Sequence, residues 1–598
     1  MLQRKWLVFP LLIVLLVQFS ACIGEKNSEK VQNGAKKVDG ASFLTEVKND
    51  AEPIEGGTLH VALVNDAPFQ GIFSDLLSED HYDAQIMAFA SNHIFDTDGD
   101  FLVTDGGIAT LDVDEKHHKA TIKLREGVKW SDGELLTVDD LIYPYEVIAH
   151  KDYTGVRYDA DIQNVVGIED YHNGKTNTIS GLKKVDDFTL EISLKKVSPA
   201  VYTGMGDGIW PYAAPSHDLK DVPVKDLIQS DKIRKNPVTL GAFKFEKIVP
   251  GESVQLVRNA YYWRGKAKLD QVIIKTVPQT SIVAALKAGE VDYCLSMPTA
   301  IYAMYKDLDN ITILGRPELS YSYLGFNLGT YDQQKNINIM NPNAKMGDVK
   351  LRQAMAYAIN LEVVNQQCYL GLRERANSLI PPAFQSFYNS ELKGYTYDPE
   401  KAKQLLDEAG YKDVNGDGIR EDKNGQPFEI KMAFMAGGDE AEPIAQFYLQ
   451  NWKDVGLCVT LTTGRLMEFH TFYHKVQAND KEIDMYMAAW TTGTNPSPVG
   501  LYGEVAKFNM SRFVSDENTK LLAAIDSKEA MDLTYRIKAF QAWQVYMAEQ
   551  VPVIPTQFRT ELIPVNHRVK GVNIAYDAPS NLHEWELTAK SPIKASKS

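Results

Sequence analysis

The sequence predicts an α/β protein with more than one domain. Its 598 residues exceed what one hydrophobic core supports and correspond on length alone to about four domain-sized units. Strand patterns of period two alternate with helical patterns, as in SYSYLGFNL (320–328) and LRQAMAYAI (351–359). Hydrophobic residues at 44% and charged residues at 24% are ordinary globular values. Because the net charge of -16 is spread along the chain, nucleic acid is not an expected partner.

The N-terminus has the pattern of an exported protein. Two basic residues precede the apolar run 6–17, which is shorter than the roughly 20 residues that cross a bilayer and fits a signal peptide. Small residues then lead to Cys22, and this ending resembles a bacterial lipobox, whose cysteine carries the lipid. Residues 1–21 are therefore predicted to be a lipoprotein signal peptide, with Cys22 lipidated; plain secretion is the alternative.

Residues 22–55 are predicted to form a flexible tether between the anchor and the folded body. The segment 23–50 is rich in Lys, Glu, Asn and Gly and has Phe43 as its only aromatic residue. Such a composition buries too little apolar surface to become ordered by itself. The remaining cysteines are too few and too widely spaced for a disulfide framework or a zinc site, which is typical of a bacterial envelope protein.

The stretch 320–328 presents two different faces if it is extended. One carries serine, leucine and phenylalanine, and the other carries Tyr321, Tyr323, Gly325 and Asn327. The second face suits the floor of a polar-ligand cleft, because it combines aromatic rings, an amide and a glycine that admits another backbone. On its own, the pattern favours the alternative of a half-buried strand with tyrosines at its rim.

A second candidate is the stretch 484–503, DMYMAAWTTGTNPSPVGLYG. Its first half alternates as a strand ending at Trp490, and its second half is a loop of Thr, Gly, Asn, Pro and Ser. A strand end with an exposed backbone edge can pair with an extended peptide through main-chain hydrogen bonds. Trp490 is either a cleft residue or a core tryptophan at a strand end.

Metal sites are only weakly indicated. Asp413, Asn415 and Asp417 follow the spacing of a calcium loop, but Asn424 stands where the bidentate glutamate belongs, so a polar hairpin loop is favoured. His470 and His474 are four residues apart on a predicted helix, and solvated histidines are the favoured interpretation. We therefore expect no metal and no cofactor.

Catalytic motifs are incomplete. The run Gly174-Lys175-Thr176 lacks the first glycine of a phosphate loop, since Glu169 stands in its place. The pair His583-Glu584 lacks the second histidine of a zinc protease, since Leu587 occupies that position. The sequence gives no support for an enzyme.

Several runs carry a family resemblance. TIKLREGVKWSDGELLTVDDL (121–141) resembles the signature of the extracellular solute-binding proteins that supply peptides, dipeptides and nickel to ABC importers. The order of later segments is similar as well, over a body from about residue 56 to about 585: NPVTLGAFKF (236–245), PGESVQLVRNAYYW (250–263) and AALKAGEVD (284–292).

The resemblance implies a two-lobed α/β fold of the periplasmic-binding-protein type II, with a hinge of two crossing segments. Lobe one would comprise residues 56–315, with an extra domain inserted at about 95–209. Lobe two would comprise residues 316–555, and residues 556–598 would return to complete lobe one. A ligand would lie in the cleft between the lobes, and hinge closure would enclose it.

The implied function is that of a monomeric, lipid-anchored receptor on the extracytoplasmic face of the cell membrane. It would capture oligopeptides and deliver them to the transmembrane subunits of an ABC permease. Trp210 and Phe508 are aromatic candidates for side-chain pockets. The other predicted ligand-binding residues are Asn65, Asp66, Phe69, Tyr321, Tyr323, Asn327, Trp490, Thr491, Thr492, Gly493 and Asn495.

The residues after Trp490 bear on the kind of peptide. Relatives of this family often carry there an aspartate that meets the ligand's ammonium group, but residues 491–495 contain no acid. The resemblance therefore favours longer peptides with unconfined ends, as in the lactococcal type of oligopeptide-binding protein. The alternatives are a receptor of the same fold for an oligosaccharide or chelated nickel, a pheromone-sensing surface protein, and an envelope hydrolase.

Overall fold

The computed structural model describes residues 43–65, 67–99, 101–578 and 580–596. The predicted signal peptide, Cys22 and Asp66 lie outside these ranges. The strands are β1 Thr58–Val64, β2 Asp96–Thr97, β3 Val103–Thr104, β4 Ala109–Asp114, β5 Lys119–Leu124, β6 Leu182–Lys184, β7 Thr189–Ser193, β8 Phe243–Val249, β9 Ser253–Arg258, β10 Gln271–Val277, β11 Tyr293–Cys294, β12 Ile311–Phe326, β13 Gly329–Asp332, β14 Ile337–Met340, β15 Arg373–Arg375, β16 Glu429–Ala433, β17 Cys458–Leu461, β18 Met485–Thr491, β19 Val553–Asn566, β20 Val569–Lys570 and β21 Glu586–Leu587.

The α-helices surround these strands. They are His81–Met87, Asp139–Ile148, Ile168–His172, Ser216–Leu219, Asp231–Arg234, Gln279–Ala288, Tyr302–Tyr305, Val349–Ala358, Leu361–Tyr369, Pro399–Ala409, Ala441–Asp454, Phe469–Gln477, Val499–Tyr502, Asp516–Ile525 and Leu533–Gln550. Within the described residues, no helix is both long and apolar enough to span a bilayer.

One mixed sheet runs through both lobes. Its strand order is β17-β16-β18-β12-β19-β11-β1-β10-β9-β8, with β15 paired to β19. The strands β1, β10 and β11 are parallel, as are β16, β17 and β18, whereas β12 and β19 are antiparallel to each other. Helices pack beside the parallel parts, which gives the predicted α/β class.

Two long strands connect the lobes. β12 has 16 residues and β19 has 14, and they pair along most of their length. The register shifts between Pro317 and Tyr321, where residues 318–320 oppose Arg559 alone. Proline has no N–H for the ladder and is tolerated at such a bulge. The predicted lobe boundaries at 315/316 and 555/556 fall inside these two strands.

Separate hydrophobic cores support the lobes. The largest core contains Tyr321 and Trp452 and extends to Phe558, which places it in lobe two. Lobe one has two smaller cores around its part of the sheet. The inserted domain forms a four-stranded sheet, β4-β5-β7-β6, over a core that runs from Ile72 to Leu240. This core therefore extends beyond the predicted insertion at about 95–209.

The predicted tether ends earlier than residue 55. Leu44 bridges to Leu314, the N–H of Val47 donates to the carbonyl of Val572, and Ile54 donates to Leu587. Val47 and Ile54 also pack against the core of lobe one. The prediction was wrong for residues 43–55, because these few apolar side chains gain partners from the C-terminal segment that local composition does not show.

The helix predicted from the apolar spacing of 351–359 is confirmed, and the helix Pro399–Ala409 is likewise explained by its local sequence. Leu351 and Met355 lie on a fully buried face of the helix Val349–Ala358. The carboxylate of Asp398 accepts the N–H of Lys401 at 2.9 Å and caps the helix Pro399–Ala409. Helical spacing of apolar residues and good caps thus determine these elements locally.

Two acids of the quoted runs are buried and structural. Asp140 accepts the indole N–H of Trp130 at 3.0 Å and the N–H of Ser216 at 2.9 Å. Asp292 pairs with Arg568, and both side chains are at most 1% exposed. Because unpaired buried charges are costly, each acid fixes the elements that supply its partners.

Candidate functional site

The candidate site is an aromatic group at the end of β18, where the two lobes meet. The half-buried ring of Trp490 is nearly parallel to that of Tyr323, with centroids 6.4 Å apart and an angle of 15°. Phe508 meets Trp490 edge to face at 5.1 Å. The structure thus brings together two predicted site residues that are 18 positions apart, Trp490 and Phe508.

Tyr321 and Tyr323 lie beneath this aromatic group. They are 0% and 1% exposed, and the hydroxyls of Tyr321 and Tyr502 are 2.8 Å apart. The opposite face of the strand is buried as well, since Ser322, Leu324 and Phe326 are at most 3% exposed. Neither the open cleft floor nor the half-buried strand was correct for these two rings, which are buried beside Trp490 on the adjacent strand.

Asn327 is placed away from the aromatic group. Its side-chain N–H donates to the carbonyl of Ile483 at 3.1 Å, at the end of β12 remote from the hinge. Asn327 lies six positions beyond Tyr321 along the chain, which corresponds to about 20 Å of extended strand. The prediction of Asn327 as a cleft residue was wrong, since alternation identifies a face of a strand but not a position along it.

The loop after β1 reaches the other lobe. The amide of Asn65 donates to the carbonyl of Ala67, and Phe69 is buried beside Phe73 in the core of lobe one. The carbonyl of Pro68, in contrast, lies 2.9 Å from Nε2 of His470 in lobe two. The backbone of this loop, and not the side chains of Asn65 and Phe69, therefore faces the opposite lobe.

Further contacts close the lobes at the loop after β18. Thr492 donates its N–H to the carbonyl of Leu319 at 2.8 Å, which continues the β12–β18 ladder within lobe two and places the loop beside the hinge. A Cβ atom on Gly206 would lie 2.6 Å from Nδ2 of Asn495, and one on Gly493 would lie 3.5 Å from the sulfur of Met205. Of the predicted residues, Gly493 and Asn495 therefore lie against the inserted domain of lobe one.

Two additional side chains reach across from one lobe to the other. Nζ of Lys507, next to Phe508, donates to the carbonyl of Gly155 at 2.7 Å. Phe101 leaves the hairpin of β2 and β3 and contacts Phe384 of lobe two at 5.6 Å. The predicted pocket residue Trp210 is half-buried and packs on the lobe-one side beside Tyr212, at 5.8 Å.

Two ion pairs join the hinge strands. Nε of Arg559 is 2.8 Å from the carboxylate of Glu318, and Nε of Arg316 is 2.7 Å from that of Glu561. Burial opposes ionisation of Glu318, but the nearby Arg559 and Ser320 outweigh it and lower its pKa. Burial raises the pKa of Glu561 despite the attraction of Arg316. Sequence reasoning missed both pairs, because their partners are more than 240 residues apart.

One backbone edge of β18 is not covered by another described strand. β12 pairs with β18 along its whole length, whereas β16 pairs only with its first two residues. The backbone of Thr492 bonds to Leu319, next to β12. Because successive residues of a strand direct their N–H and C=O groups to opposite edges, the odd-numbered residues of β18 direct theirs to the uncovered edge. The hydroxyl of Tyr473 contacts this edge at Ala489. The residues along it are Met487, Ala489 and Thr491.

The weak metal candidates fold as a polar loop. The carboxylate of Asp413 accepts the N–H groups of Gly416 and Gly418, and that of Asp417 accepts the N–H of Ile419. Asn415 donates instead to Glu421 at 2.7 Å. Across the described residues, no group of three or more His, Cys, Asp or Glu side chains is arranged to hold a metal ion.

Two α/β lobes, joined by two crossing strands and meeting at an aromatic cleft, define a bilobed solute-binding protein. The chain belongs to the bacterial extracellular solute-binding proteins of family 5, whose middle-region model matches residues 104–512.

Individual relatives agree with this assignment. The chain is 35% identical to the oligopeptide-binding protein OppA of Lactococcus lactis subsp. lactis, over 96% of each chain. It is 27% identical to the oligopeptide-binding protein AppA of Bacillus subtilis, over 91% of this chain and 92% of that protein. Among solved structures, lactococcal OppA complexed with an endogenous peptide in the closed conformation superposes with a TM-score of 0.87, covering 89% of this chain and all of that one, at 35% identity.

Proposed function

We propose that this protein captures oligopeptides in its interlobe cleft and delivers them to the permease of an ABC importer, without chemical change to the peptide. The relatives from Lactococcus lactis and Bacillus subtilis are both oligopeptide-binding proteins by name, and the closed structure of the lactococcal protein contains a peptide. The sequence relation to the lactococcal protein extends over nearly the whole chain, including both lobes and the hinge.

The uncovered edge of β18 is the observation that carries this proposal. It runs from Met487 to the exposed Thr491, where it reaches the aromatic group and the loop 491–495 that meets lobe one. An extended peptide would add to this edge through its own N–H and C=O groups. Main-chain pairing of this kind accepts many side chains. The ligand-binding residues we propose are therefore Trp490 to Asn495 with Phe508 and, more peripherally, Trp210.

The proposal is tested first with the ligand that the protein retains. Mass spectrometry of the purified protein is expected to find peptides, and prolonged incubation should leave them intact. An oligosaccharide or a nickel chelate as the retained ligand would favour those rival solutes, and cleaved peptides would favour a hydrolase.

Backbone methylation of a bound peptide tests the binding mode. A methyl group on an amide nitrogen that pairs with β18 removes one hydrogen bond, worth about 0.5–1.5 kcal/mol, so affinity should fall about two- to tenfold. Methylation of the neighbouring amides, which point away from the strand, is the matched control. Equal losses at all positions would contradict pairing with this edge.

His470 is expected to hold the closed form. Replacing His470 with alanine removes its contacts with Pro68 and Gln70 of lobe one, at 2.9 and 3.1 Å. Peptide affinity should fall about three- to tenfold in isothermal titration, the value of one or two interlobe hydrogen bonds. His474→Ala is the control, since this residue lies one turn further along the same helix and is exposed. Equal effects of both substitutions would contradict the interlobe role.

The anchor is part of the proposal and lies outside the described residues. We infer that Cys22 is lipidated after removal of residues 1–21, and that a shortened tether, 22–42, holds a monomeric receptor at the membrane. Cys22→Ala is expected to release the protein into the medium of growing cells, because the acyl chains that hold it are lost. Immunoblotting of membrane and medium measures this, with Cys458→Ala as the control. Retention of the Cys22 variant in the membrane would refute the lipid anchor.

A further inference from the structure

One aromatic side chain of lobe one is seated in the hydrophobic core of lobe two. Phe101, which lies between β2 and β3, is 4% exposed and belongs to the core that contains Tyr321 and Trp452. Its ring meets that of Phe384 edge to face, with centroids 5.6 Å apart and an angle of 65°. Among the described residues, every other buried member of this core lies in the stretch 321–558. Phe101 therefore enters the core of the opposite lobe.

A second ring connects Phe101 to the hinge. Tyr576, from the segment that returns to lobe one, meets Phe101 edge to face at 5.5 Å. The hydroxyl of Tyr576 donates to the carbonyl of Pro317 at 2.7 Å, and the guanidinium of Arg316 lies 4.3 Å from its ring. Both partners belong to β12, at the register shift of the hinge. The socket of Phe101, formed by Phe384 and Tyr576, therefore spans lobe two and the hinge.

The hairpin that carries Phe101 is held by lobe one. Asp96 of β2 pairs with Arg264, and the N–H of Asp98 donates to the carbonyl of Leu102 at 2.9 Å. Phe101 has a φ of 62°, a left-handed conformation that bulky residues rarely adopt. Such a conformation costs free energy and persists where the surrounding contacts enforce it. The contacts with the socket thus hold the ring in place, whereas the neighbouring Leu102 is 42% exposed.

Opening of the lobes would withdraw this ring from its socket. Because Phe101 and Phe384 belong to different lobes, a rotation about β12 and β19 separates them and exposes the apolar surface of both to water. Closure buries that surface again, which favours the closed form whatever ligand the cleft contains. With 4% of its surface exposed, Phe101 has almost none left with which to contact a ligand.

We propose that Phe101 is a closure latch: its seating in the socket stabilises the closed form and slows release of the ligand without contacting the ligand. The inference rests on the proposed function for its ligand and adds a positioning residue to it. A latch acts on every peptide by the same factor. A residue that lines the cleft, such as Trp490, acts by a factor that depends on the side chains of the peptide.

The rate of peptide release tests the latch. A fluorescein-labelled nonapeptide of Ala, Leu and Pro is bound and then chased with unlabelled peptide in a stopped-flow instrument. Phe101→Gly removes the ring, and glycine adopts the positive φ without strain, so the hairpin keeps its fold. Release should be about tenfold faster than from the wild type, the lower end of the effect of burying a phenylalanine side chain.

Three controls accompany this variant. Phe101→Leu keeps an apolar side chain and should restore most of the wild-type rate. Leu102→Ala changes the exposed neighbour on the same hairpin and should release the peptide at the wild-type rate. A second nonapeptide, with lysine in place of leucine, should leave Phe101→Gly faster than the wild type by the same factor as the first.

The inference and the proposed function fail separately. Equal release rates from the wild type and Phe101→Gly, or an equal increase in Leu102→Ala, would overturn the latch and leave peptide capture intact. Faster release of only one of the two peptides would also overturn it, because Phe101 would then act on the ligand directly. Absence of binding to the wild type would count against peptide capture.

In that last case, fluorescence energy transfer between labels on the two lobes of the ligand-free protein decides. A smaller fraction of closed molecules in Phe101→Gly than in the wild type supports the latch, and equal fractions overturn it.

Discussion

Replacing Asp292 with alanine is expected to lower the free energy of unfolding of lobe one by about 3–5 kcal/mol, the cost of leaving one partner of a buried ion pair uncompensated. The carboxylate of Asp292 accepts hydrogen bonds from Nε of Arg568 at 2.6 Å and from the backbone N–H of His60 at 2.9 Å. Arg568 in turn donates to the carbonyls of Thr58 and Ala589, both at 2.9 Å. The pair therefore links β1, the strand β11 and the C-terminal segment.

Urea unfolding followed by tryptophan fluorescence measures this loss, because Trp585 belongs to the same core as β1. Asp307→Ala is the matched control, since Asp307 pairs with Lys306 at 2.5 Å but is 80% exposed. Exposed pairs contribute about 0–1 kcal/mol, so this variant should unfold close to the wild-type midpoint. Equal urea midpoints for the two variants would show that the buried ion pair does not stabilise lobe one.

Replacing Trp490 with alanine is expected to weaken peptide binding by about 2–3 kcal/mol, roughly 30- to 150-fold. The ring lies between Tyr323 of the adjacent strand and Phe508, so its removal opens the aromatic group to water. A large aromatic surface at the centre of a contact commonly dominates its binding energy. Isothermal titration with a peptide recovered from the protein measures the change.

Trp490→Phe separates binding from folding in this experiment. This variant keeps an aromatic ring next to Tyr323 and should recover most of the affinity. If the role of Trp490 were purely structural, both variants would lose thermal stability to the same extent. Unchanged affinity in Trp490→Ala would assign this residue to the core and remove it from the site.

Local patterns predicted the local elements well. Apolar spacing determined the helix Val349–Ala358, and a capping aspartate, a first-turn proline and a terminal glycine determined Pro399–Ala409. The alternation in 320–328 correctly indicated a strand, and the family resemblance supplied the arrangement of lobes. These features depend on neighbours within about one helical turn, or on motifs whose geometry is known.

Features that depend on distant partners were not predictable. Tyr321 and Tyr323 are enclosed by side chains of distant segments, such as Tyr502 and Tyr486, and residues 43–55 are ordered by the C-terminal segment. Single-sequence periodicity carries no information on such pairings.

Small-angle X-ray scattering with and without a saturating oligopeptide tests most directly whether two lobes close over an extended guest. A smaller radius of gyration on addition of the peptide is the result that this arrangement of hinge, cleft and interlobe contacts predicts. Superimposable scattering profiles, together with a titration that detects no bound peptide, would contradict closure of the lobes over an extended guest.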